Sequence, residues 1–268
     1  MRATAWIAVN VFRESVRDKV LYNLVAFAIL LIGASYLIGQ LTAGQDVKII
    51  KDLGLGATST FGVFIAVFIG IGLVSKEVER RSIYSLLAKP IHRYQLVVGK
   101  YCGLVLTLAV NLLVMAFALY VVLAYMGWGV PPDAARAWDA PALDPALLIA
   151  VGLIFVELML VTAIALFFST FSTPILSAAM TFAVYVVGHF TTDLRRFQDV
   201  VDSPAAARIA RGLYWVLPNL AQFDVKADVV HGRHVPLGYV GIATAYGAVY
   251  IALLLVLSVF VFSRRDFK

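Results

Sequence analysis

Six stretches of the chain stay apolar over the length a helix needs to cross a bilayer: residues 22–40, 57–75, 101–126, 145–168, 174–190 and 237–262. About twenty residues suffice, because each rises about 1.5 Å through a hydrocarbon core about 30 Å thick. The runs are continuous and do not alternate with polar residues, which argues against barrel strands. The fifth run is the shortest. Ahead of them, Ala5, Trp6, Val9, Phe12, Val16 and Val20 recur at steps of one, three or four, with Arg13, Glu14, Arg17 and Asp18 between them. That spacing predicts an amphipathic helix over residues 1–21 at the membrane boundary, a depth that suits Trp6. Its role is to anchor the entry to the first span or to dock a cytoplasmic partner. The expected fold is an all-α membrane protein of six transmembrane helices in one domain, residues 1–268, with no internal repeat.

Composition agrees with this pattern. Hydrophobic residues form 62% of the chain and charged residues 14%, against about 45–50% and 25% in soluble domains. A chain of 268 residues has no water-soluble core large enough to hide that surface. The net charge of +6 is spread by topology, with no basic run suited to nucleic acid. With both termini cytoplasmic, the inner segments carry thirteen Lys and Arg. The outer segments carry nine, six of them in the long segment 191–236, which weighs little in the positive-inside rule. Both termini are therefore expected in the cytoplasm of a bacterial or archaeal cell, with the spans in its inner membrane. Arg13, Glu14, Arg17, Asp18 and Lys19 interrupt the apolar core that a cleaved signal peptide requires, so the first helix is expected to remain attached. Cys102 stands alone and cannot form an intrachain disulfide.

The inner segment 76–100 carries Glu77 and Arg81 four apart, in the order that favours a helical ion pair. Val78, Ile83, Leu86 and Leu87 supply an apolar stripe. Pro90 ends this helix, and His92 with Gln95 opens a second in the manner of a weak capping box. Two short, charged and apolar helices at the cytoplasmic surface suit another protein better than plain solvent. The outer segment 191–236 is expected to hold a short interfacial helix over residues 205–216.

No catalytic constellation is found, and no phosphate-binding loop; any ATP-powered role needs a separate subunit. His231 and His234 with Asp224 and Asp228 have metal-capable chemistry, at a spacing common in loops by chance, so no metal and no cofactor is assigned to this chain. Glu157 stands midway along the fourth run between Phe155, Val156, Leu158 and Met159. A carboxylate there costs at least about 2.5 kcal/mol and must face helices or water, or be protonated. It serves a substrate path or dimer seam, or it is an internal hydrogen bond to Asn111, Thr162 or a backbone carbonyl. Gly99 and Gly103, and Gly70 with Gly72, let helices approach closely.

The segment 75–100 also resembles the stretch between spans two and three of type 2 ABC (ATP-binding cassette) exporter permeases. The resemblance rests on Glu77 or Glu79, Arg81-Ser82, Lys89-Pro90, Arg93 and Gly99-Lys100, with His92 and Gln95 departing from the usual Ser and Glu. The first helix before six spans looks like the family's interfacial helix. Residues 214–225, with Pro218-Asn219-Leu220, are similar to a segment of the subgroup containing the copper-processing, nitrous-oxide-reductase maturation permease. The resemblance implies a homodimer of six-span subunits with two ABC ATPase subunits beneath it. Coupling helices in 76–100, with Glu77, Glu79, Arg80, Arg81, Lys89 and Arg93, would form the ATPase-coupling surface, and ATP would be bound by the partner. The chain itself is expected not to be an enzyme. An ion-coupled secondary transporter using Glu157, and a membrane scaffold for assembly of an extracytoplasmic enzyme, are the alternatives.

Overall fold

The structure is a computed structural model and describes residues 2–41, 46–79, 92–130, 138, 141–191, 212, 214 and 216–264. Eight α-helices are found among these residues: α1 (Arg2–Val16), α2 (Lys19–Gln40), α3 (Asp46–Glu79), α4 (Arg93–Gly129), α5 (Ala146–Ser169), α6 (Pro174–His189), α7 (Lys226–Val230) and α8 (Leu237–Arg264). A single 3₁₀ turn, Leu220–Phe223, precedes α7. Five helices, α2 to α5 and α8, are long and apolar enough to cross a membrane. With 16 residues, α6 reaches only about 24 Å.

The amphipathic segment and the first span are two helices, not one run to residue 21. They part at Arg17 and Asp18, where the Asp18 carboxylate caps α2 by accepting the Val20 backbone N–H at 3.0 Å. Elsewhere the helices outrun their hydrophobic stretches. At 34 and 37 residues, α3 and α4 extend about 50–55 Å, well beyond the hydrocarbon. Lys48 and Lys51 therefore stand on the first turns of α3, and Lys76 to Glu79 on its last.

The bundle is layered. α3 and α5 form its centre, with most of their apolar windows buried, while α2 and α8 present Phe27, Leu30, Leu37, Val249 and Val256 outward, as lipid-facing helices do. Close approach is made possible by missing side chains on α3. A Cβ on Gly54 would lie 2.3 Å from Leu119 of α4, and one on Gly62 2.4 Å from Leu158 of α5. One on Gly70 would lie 2.7 Å from the Ala165 Cβ. Without a hydrophobic drive between helices in lipid, such contacts and buried hydrogen bonds carry the association.

At the other face of the bundle, the short α6 leaves room that the chain fills on its return. Leu220 and Phe223 are fully buried. Leu220 packs where a Gly188 side chain would stand, and Phe223 does the same at Gly247 of α8. The Asn219 backbone N–H donates to the Tyr246 hydroxyl at 2.8 Å, and Tyr239 donates to the Gln222 carbonyl at 2.7 Å. Most of the helix expected over residues 205–216 lies outside the described residues.

Candidate functional site

Two places carry the sequence-predicted residues. The first is the end of the bundle where α3 finishes, α4 begins and α1 lies. Arg80, Arg81 and Lys89 are outside the described residues, as are the side chains of Glu77, Glu79 and Arg93. Their backbone setting is visible on both flanks. Glu77 and Glu79 belong to the last turn of α3, and Arg93 is the first residue of α4. The helix opened by His92 is thus the start of α4 itself, not a separate short one. Its opening turn is closed by Gln95, whose Oε1 accepts the His92 backbone N–H at 3.3 Å, while the His92 ring stacks on Tyr94.

α1 is seated on these first turns of α4. Cβ atoms on Gly99 and Gly103 would fall 2.9 Å from Ile7 and 2.6 Å from the Ala8 carbonyl oxygen, so only glycine admits the α1 backbone here. The seat is built from Thr4, Ile7, Ala8 and Val11. Ala5, Trp6 and Val9, from the apolar stripe that marks this helix in the sequence, stay exposed. Seen along its axis, α1 has three sides: one seated on α4, an apolar side exposed through Ala5, Trp6 and Val9, and a polar side whose Asn10, Arg13 and Glu14, with Arg17 just past its end, surround an open cleft.

The second place is Glu157. It is fully buried, and its expected partners bind elsewhere: the Asn111 amide donates to the Thr107 carbonyl and the Thr162 hydroxyl to the Leu158 carbonyl. Its neighbour is His189, the last residue of α6, with Nε2 3.2 Å from Glu157 Oε1. The hairpin geometry explains the meeting. Glu157 lies about 18 Å before the end of α5, and His189 about 22 Å after the start of α6. That register was readable from the two chain positions, but His189 carries no motif and sequence reasoning missed it. The Tyr185 ring lies 4.6 Å from the imidazole. Ser59 accepts from Lys226 Nζ at 3.3 Å, and Lys226 pairs with the exposed Asp224 at 3.5 Å.

A third polar contact, also absent from the sequence reading, fastens the start of α3. Lys51 is 1% exposed, donates to the Pro141 carbonyl at 2.8 Å and stands 3.8 Å from Asp144. In the outer segment, Asp228 pairs with Arg233 at 3.2 Å across a turn in which Gly232 has φ 66°. His231 Nδ1 is 2.7 Å from the Ala227 carbonyl. No group of three metal-capable side chains occurs among the described residues.

The fold and these contacts define a multi-pass helical membrane protein whose buried polar groups tie its helices and loops together; the catalytic motifs of the common enzyme classes are missing from its sequence. The model of the ABC-2 family transporter proteins matches residues 5–195, and the chain belongs to that family. It is a membrane permease of the family, working with a separate ATP-binding subunit that carries the ATPase activity, and no cofactor is expected in this chain. No curated protein gives a significant match. The family match ends before residues 214–225, on which the resemblance to the copper-processing subgroup rests.

Proposed function

We propose that this permease couples the cycle of its ATP-binding partner to rearrangement of a six-span membrane domain, moving a substrate out or transmitting force across the membrane. α6 completes the sixth crossing, the chain 1–268 is one membrane domain, and both termini face the cytoplasm. Segment 76–100 supplies the coupling helices. Glu77, Glu79, Arg80, Arg81, Lys89 and Arg93 form the surface on which the ATPase docks, and a second copy of the permease completes a homodimer. The observation that carries this reading is the seat of α1 on Gly99 and Gly103. It makes α1 and the first turns of α4 one body at the point where the coupling segment enters α4. A push on either element then reaches the bundle as a single displacement, which is how packed elements with few alternative arrangements transmit change.

An ATP-binding partner supplies the energy, so neither an ion gradient nor a free-standing scaffold is needed as the primary role. The narrower reading, service to a copper-processing enzyme assembly, rests on Pro218-Asn219-Leu220 alone. The deciding experiment is co-purification of the tagged protein from mild detergent. A stoichiometric ATPase is expected with wild type and lost from the Glu79→Arg/Arg81→Glu double variant. A well-folded double variant that keeps its ATPase would remove these residues from the docking surface.

A further inference from the structure

Glu157 is fully buried, and neither of its carboxylate oxygens has a well-aligned hydrogen bond among the described residues. Its only close polar neighbour there is His189 Nε2, at 3.2 Å. The other imidazole nitrogen decides what lies between them. His189 Nδ1 is 3.1 Å from the Tyr185 backbone carbonyl oxygen, which can only accept. Nδ1 must therefore bear a hydrogen. In a neutral imidazole this leaves Nε2 without a hydrogen, 3.2 Å from a carboxylate oxygen that also has only lone pairs. Two acceptors at this distance repel unless a proton stands between them. With that proton the pair is either a carboxylic acid donating to Nε2 or an imidazolium donating to a carboxylate, and in both forms it is neutral overall. Without it, a bare carboxylate is buried in the apolar centre of the bundle, where an unpaired charge is strongly disfavoured.

Among the described residues, the titratable and charged groups around this pair are Tyr185 of α6, whose ring is tilted 4.6 Å from the imidazole, and Lys226 of α7, which donates to Ser59 of α3 and pairs with the exposed Asp224. We propose that Glu157 and His189 together bind one proton. The bound proton holds α6 against α5, and its release frees α6 to move. The ligand is a proton that governs the state of the bundle, and the inference does not depend on the ATP-binding partner.

The test uses the full chain in lipid nanodiscs, followed by infrared difference spectroscopy after a pH jump and by thermal unfolding from mildly acidic to alkaline pH. Wild type is expected to lose a carboxylic C=O band or an imidazolium ring mode on alkalinisation, and its melting temperature is expected to fall over the same interval. In Glu157→Gln the amide N–H takes the place of the proton, so the variant is expected to fold, to lack the signal and to melt without that pH dependence. A wild-type jump that changes neither signal overturns the proposal without any variant. So does a Glu157→Gln melting profile that falls with pH as wild type does.

Discussion

Among single residues, the polar groups that matter most are those whose partners are remote in the chain. Glu157 could be recognised from the sequence as out of place in an apolar run, because a lone carboxylate there is costly wherever it points. Its partner could not, since His189 ends a helix in a position where a histidine raises no question. Lys51 shows the same limit more sharply. It reads as one positive charge of an outer loop, yet its ammonium is enclosed and bound to the Pro141 carbonyl. Lys51→Met should therefore destabilise the folded protein by about 1–3 kcal/mol, the cost of stranding a carbonyl and removing a charged donor. Asp52→Asn on the exposed side of the same turn should stay within about 0.5 kcal/mol. Thermal unfolding of the two variants in detergent checks the contrast.

For whole helices, hydrophobic runs reveal where a helix crosses lipid but not where it starts or stops. The backbone of α3 and α4 continues helical through polar residues at both ends, since water-exposed turns keep their own hydrogen bonds. α1 departs further from its pattern. Its apolar stripe is the feature that periodicity detects, yet the side that binds α4, with Ile7, Ala8 and Val11, is the one that fits against Gly99 and Gly103. A test of this fit is Gly103→Val, whose added carbons would meet the Ala8 carbonyl and Val11. It should cost about 1–3 kcal/mol and unseat α1, which tryptic cleavage after the exposed Arg13 and Arg17 would report as a faster rate. Gly152→Ala, where the new carbon meets nothing within 4 Å, should be neutral or stabilise by up to about 1 kcal/mol.

Viewed whole, the molecule's membrane class was legible in its composition, while the distribution of Lys and Arg supplies only the expectation that both termini are cytoplasmic. The filling of the space above α6 by residues 217–230 was not legible, because it depends on a helix being too short and on glycines at 188 and 247 that accept Leu220 and Phe223. Orientation is open to direct measurement. A phosphatase reporter inserted at Gly232 should be active outside the cytoplasm, and a fluorescent protein fused after Lys268 should fluoresce inside it. The opposite pattern for both would invert the arrangement.

The seat of α1 also bears on how the chain is made. Ile7 and Ala8 leave the ribosome about ninety residues before Gly99 and Gly103, the positions that receive them. During synthesis, then, α1 emerges before α4, and α2 and α3 are inserted before its seat exists. Its lipid-compatible side gives it somewhere to wait, resting on the bilayer as a surface helix. Only when α4 enters the membrane can α1 settle onto its seat, so its docking comes after the insertion of α2, α3 and α4 and before that of the central α5.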